Sequence, residues 1–600
     1  MERYLAAVLV LGVSAQWLAW RLRLPSILLL LTFGALLGEY LAWEHGTREP
    51  VPTELLFPLV ALSVGVILFE GGLSLQIREL RESGAAVIGL VTVGAAVTWT
   101  LSTVCLIWLI GIDPRVAAVI GGILVVTGPT VVAPLLRLIR PSRRVASMVK
   151  WEGIVIDPIG AVCALLAFEA LHAHRDSWVQ DSIWSIGKTM VVGSLIGMAG
   201  AVVLVQLLKR YLIPDFLHSA AFLAAAVLSF TASNLLQTES GLLTVTVMGI
   251  ALANQRTVTL KHVIEFKENL QVLLIACLFI VLGSRVDLRE VVELGWPIVG
   301  FLLVLIFVIR PLSVWASTWT AKISHKERLF LAFLAPRGIV AAAVASVFAL
   351  EASHLDLPED VERSLEVMVP IVFVAIAGTV AFYGLASPWI ARRLGLSEPS
   401  PQGLLLAGAD PWVRMLASTL HKAGQQVMLV DTNYSNVASA RMAGLEAHCA
   451  SILAEYVHDE IDMAGIGRLL ALTPNDEVNT LAVSEFAHQF GRKHVYQLPP
   501  RQPHAGHRRE EIAGHLRGRY LFRETLDFDE LARRVRMGAT VKSTHITLEF
   551  SFADFREKYG EDAPLLAVLR GTGELEVVVV DGVREPTAGD TIVFLSPEET

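Results

Sequence analysis

The chain is short of charge and of cysteine. Charged residues are 18% of its 600 positions and hydrophobic residues 54%. Soluble domains carry about a quarter of charged residues, so this composition indicates a polytopic membrane protein. The four cysteines, Cys105, Cys163, Cys277 and Cys449, stand apart and form no CxxC. Neither a disulfide framework nor a zinc site is therefore expected. No TVGYG-like run is present, which argues against a channel filter built from backbone carbonyls. An intact GxGxxG run is also missing, which argues against a membrane-bound oxidoreductase. Glu2 and Arg3 give no net positive start, so a cleaved signal is not expected. The net charge of −8 is spread along the chain and leaves no footprint for nucleic acid.

What is present is uneven. Residues 1–392 are strongly apolar, and charges, His and Pro become frequent after Leu396. The run Ser397–Gln402 reads as a linker, within 393–402, between a membrane part and an α/β part. The apolar part divides into thirteen segments: Tyr4–Trp20, Pro25–Leu41, Leu55–Leu75, Ala85–Ile110, Pro114–Leu136, Val145–Leu171, Ile183–Leu208, Phe216–Leu236, Ser240–Asn254, Asn269–Val286, Trp296–Trp319, Leu329–Leu350 and Leu365–Ile390. Loops after odd-numbered segments hold 18 Lys and Arg and the opposite side holds 8. The odd side is thus expected in the cytoplasm, with the N-terminus outside and the C-terminal part inside. The setting is a multi-pass protein of the cell (inner) membrane, in contact with lipid.

Segment 6 carries Lys150, Glu152 and Asp157, with Asp157 near its middle. A charge at that depth costs about 2.5–3.5 kcal/mol on insertion scales, so Asp157 is a functional candidate. No cation lies one helical turn from it. Pro158 follows and removes a backbone donor, so a bend at the acid is expected. Arg310 in segment 11 is the other deep charge. An arginine cannot lose its proton, so it needs an anion, and Glu152 is the available one. Lys150, near the cytoplasmic end, is expected to snorkel.

The two halves repeat each other. Leu28, Gly34 and Leu37 match Leu243, Gly249 and Leu252 at an offset of 215. Gly72, Leu75 and Ile77 match Gly283, Val286 and Leu288 at an offset of 211. The shift is seven helices, an odd number, so the repeats are inverted in the membrane. Inverted repeats are a mark of secondary transporters, with the site where broken helices meet. The same shift pairs segment 5, broken around Thr127, Gly128, Pro129 and Thr130, with segment 12. There Pro336, Arg337 and Gly338 form a break placed near one end of the segment. Free backbone groups and the hydroxyls of Thr127 and Thr130 could coordinate a bare cation there.

TGPTVVAP, EGIVIDPIGA, the segment 11 arginine and APRGIV together resemble the cation:proton antiporters of the sodium/proton exchanger branch (NhaP-like), over residues 1–392. The resemblance implies a thirteen-helix fold with a dimerisation domain and a moving core domain. It also implies a homodimer and alternating access exchange of Na⁺ or K⁺ for H⁺, not enzymatic catalysis. It makes Asp157 the shared ion and proton carboxylate, Glu152–Arg310 a stabilising pair, and Thr127–Thr130 the crossing break. Two positions depart from that family's pattern. Gly128 stands where Asp often follows the segment 5 Thr, and Ile156 where Asn often precedes the acid.

After the linker, residues 403–535 read as a Rossmann-like unit. Gly403–Asp410 is a strand running into a turn, Pro411–Ala423 a helix, and Gln425–Asn433 a second strand ending in Asp431. An acid there hydrogen-bonds a nucleotide ribose. Gly408 stands, but Asp410 and Val413 take the later glycine positions, and Asp410 would repel a pyrophosphate. LTPNDEVN, with Asn475 and Asp476, resembles the regulatory RCK or TrkA-N domains of potassium channels and transporters. No tightly bound cofactor is expected. A regulatory adenine nucleotide or weakly held NAD(H) and a ligand-free scaffold are both open. Residues 540–600 resemble the small β-rich subdomain that follows such units, and the basic, His-rich Arg501–Arg519 reads as a solvated surface.

Overall fold

The computed structural model describes residues 2–22, 24–45, 51–139, 141–172, 178–255, 257–258, 261–352, 357–397, 402–454, 456–457, 461, 463, 465–501, 517–560 and 563–596. Residues 398–401 of the linker and 502–516 of the basic stretch lie outside them. The chain forms two compact units, Met1–Ser397 and Glu398–Thr600.

Among the described residues of the first unit, 9 helices are long and apolar enough to span a membrane. Four shorter apolar helices, Pro114–Ile123, Ser240–Ala253, Asn269–Ser284 and Ile339–Ala352, complete the set. Each falls in one of the thirteen segments. Segment 6 is a single helix, Arg143–His172, which runs through Pro158 without interruption. Segments 5 and 12 are divided. Segment 5 begins at Pro114, where Asp113 accepts the Arg115 N–H at 2.9 Å, and its first half stops at Ile123. The second half is Pro129–Ile139. Segment 12 begins earlier than its apolar run, at His325, because Ser324 and Glu327 form a capping box. Its halves are His325–Ala332 and Ile339–Ala352, so Pro336–Gly338 lie between two half-helices and not near one end. The polar turn His325–Arg328 hides that first half from a hydropathy reading.

The repeat is visible in the packing. Segments 2 and 10 pack together, and so do their counterparts, segments 9 and 3. Both crossings are set by glycine pairs. A Cβ on Gly34 would meet the Ile280 carbonyl oxygen at 2.6 Å and Gly283 Cα at 3.1 Å. A Cβ on Gly72 would meet the Thr246 carbonyl oxygen at 2.6 Å and Gly249 Cα at 3.1 Å. Only residues without side chains allow backbones this close. A further pair escapes the sequence reading. Segments 4 and 11 each contain one π-helical turn, Leu90–Gly94 and Leu305–Ile309. These sit 215 residues apart, the offset of the segment 2 and 9 match. Such turns are rare and gather at functional sites; the second ends at Ile309, against Arg310.

The second unit holds a six-stranded parallel sheet: β1 (Gly403–Ala407), β2 (Val427–Asp431), β3 (Glu446–Cys449), β4 (Ile466–Ala471), β5 (Val495–Gln497) and β6 (Arg519–Tyr520). Their order is β3-β2-β1-β4-β5-β6. The order reverses between β1 and β4, and in open α/β sheets that is where the ligand crevice opens. The loops after these strands carry Gly408–Asp410 and Leu472–Asn475. A second, antiparallel sheet has β7 (Thr540–His545), β8 (Leu565–Leu569), β9 (Leu575–Val577) and β10 (Thr591–Ser596) in the order β7-β10-β8-β9. Residues alternate along β1. Leu404 and Leu406 join a core shared with Val568, Ile592 and Phe594, whereas Leu405 and Ala407 pack with Phe486 on the other face.

Candidate ion site and nucleotide crevice

The two breaks cross at their glycines. A Cβ on Gly128 would lie 2.2 Å from Gly338 Cα, and one on Gly338 would lie 2.3 Å from Gly128 Cα. The Gly128 N–H donates to the Pro336 carbonyl at 3.1 Å. No side chain fits between the two chain segments at this crossing.

Each first half-helix ends in carbonyls that attract positive charge. Arg337 donates through Nη1 to the carbonyls of Val125 and Val126, both at 3.1 Å, and is buried. Arg310 donates to Leu331 and Leu334 carbonyls, both at 3.2 Å, at the end of the other half-helix. Arg310 also holds Glu152 in a two-pronged pair at 2.5 and 3.0 Å. By sequence alone Arg310 is the deep cation that pairs segment 6, and Arg337 is part of a break. Both Arg310 and Arg337 are buried, one at the end of each first half-helix. The flanking Pro336 and Gly338 masked the second.

Segment 6 lies against the segment 5 break through one face. A Cβ on Gly153 would be 3.7 Å from the Thr127 carbonyl oxygen, and one on Gly160 would be 2.3 Å from Val126 Cγ2. One turn further, Ala164 Cα would lie 2.9 Å from a Cβ on Gly122. Asp157 stands one turn from both Gly153 and Gly160, so it belongs to this face. It is fully buried, and among the described residues no protein group hydrogen-bonds either carboxylate oxygen. The hydroxyls of Thr127 and Thr130 are likewise buried without a protein partner. The structure thus leaves one carboxylate on segment 6 and two hydroxyls at the segment 5 break buried without a hydrogen-bond partner among the described residues. Ile156, the second departure, is buried in the apolar core.

In the second unit Gly408 has φ +110° and donates its N–H to Val430 at 2.8 Å. Asp431 is already engaged by the chain. Its Oδ2 accepts the Ala409 N–H at 2.6 Å and Asn436 Nδ2 at 3.2 Å, and its Oδ1 accepts the Asn433 N–H at 2.8 Å. Arg414 closes the ring, donating to the Ala409 carbonyl at 2.7 Å and to Asn436 Oδ1 at 3.3 Å. Asp410 is the N-cap residue of Pro411–Lys422, with Pro411 in the first helical position. Burial raises its carboxyl above the usual range, against the pull of the Trp412 N–H, Arg414 and Arg536. Asn475 caps the helix Asp476–Phe490 through the N–H groups of Glu477 and Val478, at 2.9 and 3.1 Å. Asp476 accepts the Arg501 N–H at 3.1 Å. Arg414 and Asn436, missed in the sequence reading, are thus part of the crevice. Asn475 and Asp476 are engaged with the chain itself.

Comparison with known proteins agrees with this architecture. Residues 5–393 match the family described as sodium/hydrogen exchanger, transmembrane, and residues 404–498 match the TrkA-N domain. The K(+)/H(+) antiporter NhaP of Alkalimonas amylolytica is 26% identical over 411 residues, covering 67% of this chain and 69% of the relative. The Na(+)/H(+) antiporter 1 of Methanocaldococcus jannaschii is 27% identical over 363 residues, covering 58% of this chain and 83% of the relative. The solved structure of the sodium proton antiporter MjNhaP1 from Methanocaldococcus jannaschii at pH 8 has the same fold, with a TM-score of 0.53 at 23% identity. It is matched over 65% of this chain and 97% of its own. With a family model spanning most of its length, the chain belongs to the transmembrane sodium/hydrogen exchangers, transporters and not enzymes.

Proposed function

We propose that this chain exchanges one monovalent cation, Na⁺ or K⁺, for H⁺ across the cell membrane by alternating access, with Asp157 as the group the two ions share. One observation carries the reading: a fully buried carboxylate without a hydrogen-bond partner among the described residues, on the helix face that meets the segment 5 break, where two broken helices cross. Such a group binds a proton or a cation, not both, which couples their movement in opposite directions. Thr127 and Thr130 complete the oxygen shell, and Glu152–Arg310 neutralises charge beside it. The similar proteins are named for K⁺ in one case and Na⁺ in the other. Purified protein in proteoliposomes, assayed with each cation over a pH series, decides between them. Proton flux that ignores both cations would overturn the reading.

The loop cations support a cytoplasmic C-terminal unit, and the family resemblance supports a homodimer. The TrkA-N unit is the regulatory part. Leu396 and Ser397, which lead into the linker, are tied to the junction of segments 5 and 6. Ser142 donates its N–H to Leu396 at 3.1 Å, and Pro141 bridges Ser397. A pull on the linker therefore acts on the helix that carries Asp157 as well as on segment 13. Truncation after Leu396 leaves every proposed ion-site residue in place, so exchange persists while its pH dependence moves. Exchange identical in rate and pH profile would reduce the unit to a scaffold.

A further inference from the structure

A Rossmann crevice offers a dinucleotide two seats: the helix N-terminus for the pyrophosphate and the acid after the second strand for the ribose diol. In this chain both are filled from within. At the first, Asp410 presents a carboxylate where phosphate oxygens would lie, and Pro411 removes an N–H that a phosphate would accept. The third glycine position of the fingerprint is Val413, fully buried against the sheet, so the helix packs at a distance fixed by a branched side chain. At the second, three donors from the chain occupy Asp431, and a carboxylate offers about four lone-pair sites. A ribose diol donates two hydrogen bonds there and finds room for one. Binding would have to break the 2.6 Å bond to Ala409 or the bond to Asn436, and Asn436 is itself held by Arg414. The second loop offers no substitute. Asn479 is spent on Thr473, accepting its N–H at 3.0 Å and its hydroxyl at 2.8 Å and donating back to its carbonyl at 2.9 Å.

We propose that the TrkA-N unit is self-liganded: Asp410 stands in for the pyrophosphate and the Ala409–Asp431–Asn436–Arg414 ring for the ribose contacts, so dinucleotides are excluded and the crevice keeps one arrangement. The proposal borrows from the regulatory reading of this unit only the place where a nucleotide would sit. It makes the unit a fixed coupler of the membrane part and not a sensor of the nicotinamide or adenylate pool.

The test uses the full-length protein in detergent. Titration of the wild type with NAD⁺, NADH, AMP and ATP at millimolar concentration should give no saturable heat. Saturable heat with any of them, lost in Asp431→Ala, overturns the proposal. Asp410→Gly removes the built-in anion. Amide exchange at residues 408–414, read by mass spectrometry, should then quicken by up to about twofold, because glycine is itself tolerated at a helix N-cap. Millimolar pyrophosphate should slow it again in the variant and leave the wild type unchanged. Unchanged exchange in the variant, or quickened exchange that pyrophosphate does not slow, overturns the anion seat. Should Asp410→Gly not fold, Asp410→Ala also removes the anion and is read the same way. Cation exchange in proteoliposomes is measured in parallel. It depends on residues before Leu396, so its loss would speak against the transporter reading and not against this one.

Discussion

Asp157→Asn separates stability from transport. The substitution keeps the shape of the side chain and removes its charge. Among the described residues no protein hydrogen bond to the carboxylate is lost, because none is made. A buried charge at mid-membrane depth costs about 2.5–3.5 kcal/mol on insertion scales. Where Asp157 is ionised, the variant should therefore be more stable than wild type by an amount of that order. Where the wild type is protonated, the difference should vanish. Ligand linkage gives a second reading. A cation at ten times its Kd stabilises the wild type by about 1.4 kcal/mol, and should leave the variant unmoved. Thermal unfolding in detergent over a pH series, with and without Na⁺ or K⁺, measures both effects, and proteoliposome flux measures transport. Asp157→Asn should unfold later, ignore the cation and carry no exchange. A variant that still shows the wild-type cation shift, or that still exchanges, would refute the assignment of Asp157.

Glu152 is five residues away on the same helix and should behave in the opposite way. Glu152→Ala strands Arg310 without its anion, and Arg310→Ala also frees the carbonyls of Leu331 and Leu334; each should cost roughly 3–5 kcal/mol, seen as lost yield or early melting. Wild-type melting in both would break the pairing. Gly128→Ala and Gly338→Ala put a carbon 2.2 and 2.3 Å from the facing backbone and should abolish exchange, whereas Gly153→Ala, with its nearest neighbour at 3.6 Å, should keep it. Equal activity in all three would mean that the crossing is not tight. In the second unit, burial would raise the Asp590 carboxyl, but hydrogen bonds from Thr587, Arg570 and Gly571 hold it at about 2, below its ordinary 3.8. Its stabilisation, about 2 kcal/mol, is present above pH 4 and lost as pH falls toward 2, and Asp590→Asn should flatten that acid limb in a melting series.

Much of this was legible because membranes simplify the code. Apolar length alone marks the thirteen segments. A carboxylate among them, as at Asp157, stands out because the bilayer makes it costly. Glu152–Arg310 follows from charge that must be neutralised. The features that stayed hidden leave no mark in residue type. The π-helical turns are shifts of hydrogen-bond register, and Leu90–Gly94 reads as ordinary apolar helix. The first half of segment 12 hides behind the polar turn His325–Arg328. Arg337 looked like part of a break because its carbonyl partners, Val125 and Val126, lie more than two hundred residues earlier. Asp431 carries the expected residue in the expected place. What decides its chemistry is the direction of three N–H groups, which only coordinates reveal.

The repeat also shows which residues are architecture and which are chemistry. Glycine contacts, helix breaks and π-helical turns all recur at offsets between 210 and 215. Features that obey the symmetry build a frame whose halves can exchange roles when access alternates. The charges do not obey it. At the segment 11 offset Arg310 corresponds to Ala95, and at the break Arg337 corresponds to Thr127. The helix Met368–Leu394 of segment 13, the counterpart of segment 6, contains no Asp or Glu, and the same offsets carry Asp157 onto residues 367–372, none of them acidic, so Asp157 has no counterpart in the other half. One half carries the buried acid and the hydroxyls of Thr127 and Thr130. The other supplies the cations that hold the half-helix ends and pair Glu152. The frame is therefore near-symmetric, whereas Asp157, without a hydrogen-bond partner among the described residues, belongs to one half alone.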